Sequence, residues 1–224
     1  MGDIITNSGL FSKEAIVGQV STTWILMAVL VILSICATSK LKTVPGKLQN
    51  AAEMSVSSLD GFFEGILGEH RARNYFPLFG TMFIFILVSN YSGLLPFAGH
   101  ISWLQAPTST LSVTAGLAII IFLATHFLGF KAHGFSYLKH FISPLAFMLP
   151  LNIIEEVVRP FSLALRLYGN IFGEETVTHQ LFQMCPIIVP LVMNVLSILF
   201  CLIQAVVFTM LSAVYIEGAT GAGH

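Results

Sequence analysis

Apolar residues gather into runs long enough to cross a bilayer, separated by short polar loops and one amphipathic stretch. About 20 consecutive apolar residues span the hydrocarbon, and the pattern predicts spans at 22–37, 76–95 and 111–130. Between the first two, over 45–73, the period changes. Leu48, Met54, Leu59, Phe62, Phe63, Ile66 and Leu67 alternate there with Gln49, Glu53, Asp60, Glu64 and Glu69, as in a helix that lies on the membrane surface or docks a partner. The last third differs again, with helical periodicity running through 144–184 and 186–216. At 1.5 Å per residue the stretches from Pro150 to Met184 and from Pro186 to Ile216 reach roughly 45–52 Å, against a hydrocarbon core of about 30 Å. They must tilt steeply or run along a neighbour, and the short turn at Cys185-Pro186 makes them an antiparallel hairpin. The predicted fold is an all-α integral membrane protein of about five membrane-embedded helices plus an amphipathic surface helix. Pro160 is expected to kink the first long helix, because it removes a donor and frees the carbonyl of Glu156.

Composition agrees: 55% of the 224 residues are hydrophobic and 9% charged, where soluble domains carry about 25% charge. A formal net charge of -1 and four scattered arginines leave no field for nucleic acid. Cys36, Cys185 and Cys201 sit in apolar runs without CxxC spacing and read as buried thiols. Asp3, Lys13 and Glu14 precede the first run; this is not the pattern of a cleaved leader, so that run is expected to be retained. Lys40, Lys42 and Lys47 follow it, the loop over 96–108 has no Lys or Arg, and Lys131 and Lys139 follow the third span. The positive-inside rule then puts the N-terminus outside and the C-terminus in the cytoplasm.

The chemistry concentrates in the long helices. On a helical wheel Glu155, Arg159, Ser162, Asn170 and Gly173 fall within roughly 40° of Arg166, forming one polar stripe. An arginine near mid-membrane costs about 2.5–3.5 kcal/mol on insertion scales and is expected to face protein or water and to have a function. Arg159 has Glu155 one turn away as a structural partner. For Arg166 no carboxylate of its own helix is well placed, since Glu174 lies about 80° round and Glu175 points to the opposite side. The second long helix carries Ser197, Gln204 and Tyr215 within about 20° of one another. Counting both ways from Cys185 sets Arg166 beside Gln204, close enough for a guanidinium to reach the amide oxygen directly or through one water, and sets Glu174 opposite Leu196 and Ser197. Glu174, Glu175 and His179 lie nearer the outer surface than Arg166, and Glu155, Glu156 and Arg159 nearer the cytoplasm. Titratable groups on both sides of a central cation suit two aqueous half-paths divided by an electrostatic barrier. Gly169 and Gly173 form a GxxxG spacing that lets another helix approach closely.

Three blocks then resemble subunit a of rotary ATP synthases. The first runs Arg159-Pro160-Phe161-Ser162-Leu163-Ala164-Leu165-Arg166-Leu167-Tyr168-Gly169-Asn170. The others are Leu202-Ile203-Gln204-Ala205-Val206-Val207-Phe208 and Asn90-Tyr91-Ser92-Gly93-Leu94-Leu95-Pro96. The resemblance extends over 76–217. It implies a stator subunit set against a ring of c hairpins, with peripheral-stalk subunit b, within the ATP synthase complex of a bacterial inner (plasma) membrane or an equivalent energy-coupling membrane. It makes Arg166 the essential arginine facing the rotor carboxylate, Asn170 and Gln204 its polar neighbours, and Glu175 the acid of the outer path. The chain departs from the pattern at two positions. Some relatives carry histidine at the place of Ser197 and glycine at the place of Glu174, so acid and partner of the outer path are exchanged here. The coupling ion, proton or sodium, is expected to be chosen at the partner's carboxylate.

An autonomous secondary transporter is the rival reading, and it requires inverted repeats and a substrate pocket. No repeat is evident. The HExxH and GxSxG patterns of hydrolases are missing from the sequence. His126, His133 and His140 recur every seven residues, but Gly129 and Gly134 are expected to interrupt the helix between them, so neither a metal site nor a cofactor is expected.

Overall fold

In the computed structural model, residues 13–38, 46–94, 106–134, 137, 149–184 and 188–221 are described. The Cys185-Pro186 turn, positions 144–148, Lys40, Lys42, Lys139 and His140 lie outside them, as do the side chains of Lys47, Leu48, Glu175 and His179. The described residues are all helical in architecture, in the order α1 (Lys13–Thr38), α2 (Lys47–Leu67), α3 (Glu69–Gly93), a single 3₁₀ turn (Pro107–Ser109), α4 (Leu111–His133), α5 (Leu149–Met184) and α6 (Ile188–Gly221). Three stretches are long and apolar enough to cross a membrane: Glu69–Gly93, Leu111–His133 and Val192–Gly221. A shorter apolar helix covers Val20–Cys36.

Glycine sets two of the boundaries. The amphipathic stretch expected to run to Arg73 is divided at Gly68, whose φ of 76° is open to glycine at little cost. Its N–H caps α2 on the Glu64 carbonyl at 3.0 Å, and α3 begins at Glu69. Gly134, with φ 55°, ends α4 in the same way on the Phe130 carbonyl at 2.8 Å. Gly129, expected to interrupt α4, lies inside it instead. A Cβ there would come within 2.6 Å of the Tyr137 ring, so this glycine serves close packing and not helix termination. Pro160 likewise sits within a continuous α5.

The core lies where α3, α4, α5 and α6 meet. Phe83, Ile86, Ile121, Leu163, Leu167 and Phe208 are buried together there. A second cluster, built on Phe63, Leu67, Phe79 and Ile216, fastens α2 to α3 and α6. Of the apolar residues of α2, Phe63 and Leu67 are buried and Leu59 and Ile66 pack against them, while Met54 and Phe62 face outward. Large apolar side chains also cover the exterior of the helices, among them Ile119, Leu123 and Phe127 on α4 and Val157, Phe161 and Leu165 on α5. Such a surface is unsuited to water and suited to lipid or to another protein.

Candidate functional site: two arginines on one helix

α5 has two contrasting sides. Leu163, Leu167 and Ile171, spaced by four, are buried in the core, as the helical period requires. Ser162, Arg166, Gly169 and Asn170 are exposed on the exterior. Among the described residues Arg166 makes no hydrogen bond and no ion pair. A Cβ added to Gly169 or Gly173 would find nothing within 4 Å. The stripe expected to face protein or water therefore opens outward, with a smooth backbone surface beside the guanidinium.

Arg159, two turns earlier on the same stripe, is treated in the opposite way. Its Nη2 donates to Glu155 Oε1 at 2.8 Å and its Nη1 to Glu156 Oε2 at 3.4 Å, and its guanidinium carbon lies 5.6 Å from the centre of the Tyr215 ring. The expected Glu155–Arg159 pair thus forms, with Glu156 added to it. The two carboxylates are not equivalent: the Glu155 side chain is 59% exposed and that of Glu156 only 18%, so Glu155 adds little while Glu156 is held inward. Glu156 Oε1 also approaches His126 Nε2 of α4 at 3.7 Å. Just past α4, burial pushes the Tyr137 phenol up, with the Glu156 carboxylate adding to the rise and Arg159 opposing it.

α6 turns Ser197, Cys201 and Gln204 inward. Gln204 Oε1 accepts a hydrogen bond from Asn170 Nδ2 at 2.6 Å, and Glu174 is hydrogen-bonded to Ser197. The direct bond expected between Arg166 and Gln204 is therefore not formed; Asn170, one turn on, takes the amide oxygen. Side-chain direction explains the shift. A helical side chain leans toward the N-terminus of its own helix, and the paired positions run in opposite senses along α5 and α6. Asn170 and Gln204 therefore lean toward each other from levels one turn apart, whereas Arg166 and Gln204, level by counting, lean away. The position counted level with Glu174 is Leu196; its polar neighbour Ser197, one residue on, takes the contact. Gln204 Nε2 is left buried with no partner among the described residues, a situation that costs about 1–3 kcal/mol.

Two groups of polar residues escaped prediction. Asn90, singled out only as part of a block, is 2% exposed. It accepts from Thr108 Oγ1 at 2.8 Å and donates to the Cys201 carbonyl at 3.4 Å, which fastens the 3₁₀ turn and α3 to α6. Nothing in its periodicity signals this, because the partners are 18 and 111 positions away. His126 was visible in the heptad of histidines but its companions there were misleading: it joins Glu156, while His133 Nε2 meets the Thr220 carbonyl at 3.1 Å.

Comparison with known proteins adds a relationship to this geometry. The family described as ATP synthase A chain matches residues 20–217. ATP synthase subunit a 3 of Pelobacter propionicus is 42% identical over 219 residues, covering 96% of this chain and 93% of that protein. ATP synthase subunit a of Trichlorobacter lovleyi is also 42% identical, with 96% and 92% covered, and that of Geobacter sulfurreducens is 39% identical, with 96% and 93% covered. With the match reaching across nearly the whole chain and taking in both arginines of α5, this protein belongs to the ATP synthase A chain family.

Proposed function

We propose that the chain is the ion-conducting stator subunit of a rotary ATP synthase, a multi-pass protein of a bacterial inner membrane. In this reading five helices are embedded, α2 lies on the cytoplasmic surface, the N-terminus is outside and the C-terminus cytoplasmic. α5 and α6 form a tilted hairpin laid against a ring of c subunits, with subunit b as a further partner. A rotor carboxylate, protonated or carrying sodium while it faces lipid, meets Arg166 on arrival at the stator. The fixed cation favours its ionised form, so the ion leaves into one half-path and the carboxylate is reloaded from the other. Glu174, Glu175, Ser197 and His179 line the outer path, and Glu155, Glu156 and Tyr215 the cytoplasmic one. Asn170 and Gln204 shape the polar ground between them.

The observation that carries this reading is the exposed, unpartnered guanidinium of Arg166 on an apolar exterior. It lies about 10 Å along the helix from Arg159 and about 12 Å from Glu174, so it is separated from the polar clusters on both sides. Among the described residues such a charge has no stabilising contact; against a ring carrying carboxylates it would have one. The exchange of acid and partner in the outer path also gains support, because Glu174 and Ser197 do meet. Arg166→Ala in the assembled complex is the test. Ion-driven ATP synthesis in membrane vesicles should disappear while the complex still assembles and hydrolyses ATP, and normal synthesis in that variant would overturn the proposal.

A further inference from the structure

α3 and α4 both pack along α6, and at the end where α3 begins and α4 stops they stand apart. The gap is an open cleft of about 620 Å³, lined by Asn74 and Tyr75 of α3 and by Leu128, Lys131 and Ala132 of α4. Sites for small molecules have about this size, roughly 300–1,000 Å³. The two walls rest on one apolar base, since Tyr75 and Leu128 both pack against the second cluster, whose Ala213 and Ile216 come from α6. The polar part of the lining is unengaged. Among the described residues the side chains of Asn74, Tyr75 and Lys131 make no hydrogen bond and no ion pair.

The basic groups nearby behave differently. Arg71 meets Glu217 at 3.7 Å and His133 meets the Thr220 carbonyl at 3.1 Å, so both hold the last turns of α6. Lys131 is left over, Arg73 is exposed next to Asn74, and none of the five lining residues is acidic. An ammonium, an amide and a phenol can all donate hydrogen bonds, which suits an anion. α3 and α4 are each long and apolar enough to cross a membrane, and the cleft lies at their ends, the level of the lipid headgroups. Phe127, one turn from Lys131 toward the middle of α4, is 69% exposed and offers an apolar surface beside the charge. A soluble anion would use the donors alone. A lipid uses the donors and the apolar base together.

We propose that this cleft binds an anionic phospholipid, with the phosphate against Lys131, Asn74 and Tyr75 and an acyl chain lying along Leu128 and Phe127. Basic pockets between spanning helices recognise acidic headgroups in this way. A zwitterionic headgroup fits less well, because its ammonium needs an anion and the lining supplies none. A lipid held there bridges two helices that otherwise meet mainly through α6. The inference goes beyond the stator reading and does not depend on it; it requires only that α3 and α4 cross the membrane.

The test uses the assembled complex in phosphatidylcholine vesicles doped with phosphatidylglycerol that carries a photoreactive group next to its headgroup. After illumination, labelled peptides should include those around Asn74 and Lys131, and the same probe built on phosphatidylcholine should label them much less. Lys131→Gln should lower labelling by phosphatidylglycerol about fivefold, the contribution of one lysine beside acidic lipid, and Lys131→Arg should retain it. If Lys131→Gln does not assemble, Asn74→Leu takes its place; it removes a donor without changing charge, and about a fivefold loss is again expected from one hydrogen bond. A merely structural role for Lys131 or Asn74 would alter assembly or thermal stability and leave the preference for phosphatidylglycerol unchanged, which would overturn the proposal. Equal labelling by the two lipids would overturn it as well. Displacement of the probe by inorganic phosphate would make the cleft a site for a free anion, and absence of label from both helices would mean that another subunit covers it; either result sinks the lipid site.

Discussion

Arg159 and Arg166 share one helix, one stripe and one side-chain chemistry, yet the first is surrounded and the second is bare. Arg159 has two carboxylates and an aromatic ring; Arg166 has an exposed position between small residues and no described partner. A guanidinium that closes its own hydrogen bonds inside the chain is finished as a structural element. One that stays open at membrane depth is unstable in isolation, and it makes sense only where another molecule completes it. The contrast thus separates a charge that holds the chain together from a charge left open on its exterior.

The largest effect should come from exchanging each arginine for lysine. Arg166→Lys is expected to lower ion-coupled synthesis by at least about 100-fold, since an ammonium lacks the planar, always charged fork of the guanidinium. Arg159→Lys should cost only about two- to fivefold, because Glu155 and Glu156 can still pair with a point charge. Equal losses in a vesicle synthesis assay would erase the distinction between the two positions.

Next in size is position 204. Gln204→Glu would put a carboxylate one turn from Arg166 and give that open cation a local partner competing with the rotor acid; about tenfold slower transport is expected, from a charge-assisted bond roughly twice as strong as a neutral one. Gln204→Asn shortens the arm, weakens the contact with Asn170 and should cost about fivefold or less, the scale of one neutral hydrogen bond. A ranking in the reverse order would mean that the amide contact matters more than the freedom of Arg166.

Glycines sharpen the comparison in another way, through stability. Gly129→Ala drives a methyl to within 2.6 Å of the Tyr137 ring and should destabilise the chain by about 1–3 kcal/mol, the usual cost of overpacking. Gly169→Ala meets open space among the described residues and should leave thermal stability of the subunit unchanged or slightly better, while transport should fall if, as proposed, this face meets the ring. Thermal scans of the solubilised protein beside transport assays of the complex would show whether the two readouts part company in this way. The smallest effect belongs to the carboxylates of Arg159: Glu156→Gln should lower stability by about 1–2 kcal/mol and Glu155→Gln by about 0.5 kcal/mol or less, following their different exposure to solvent.

The sequence by itself determined the all-helical, apolar character of the chain, the polar stripe of α5 and the family, because hydropathy and helical period are local properties that need no knowledge of neighbours. It also determined the Glu155–Arg159 pair, one turn apart on a single helix, and narrowed the counterpart of Glu174 to Leu196 or Ser197, of which the polar one takes the contact. Only the tertiary structure decided the rest. Asn170 displaced Arg166 at Gln204 because the lean of side chains on antiparallel neighbours shifts their tips by a turn relative to their backbones, which counting from a turn does not register. Gly129 became a packing site and not a breaker once Tyr137 folded back on it. Glu156 was told apart from Glu155 by burial and by His126, a residue on another helix. In each of these cases the deciding partner is distant in the chain, and which side chains touch across a helix pair depends on tilt, rotation and register, quantities fixed by the packing of the whole bundle and not by any single segment.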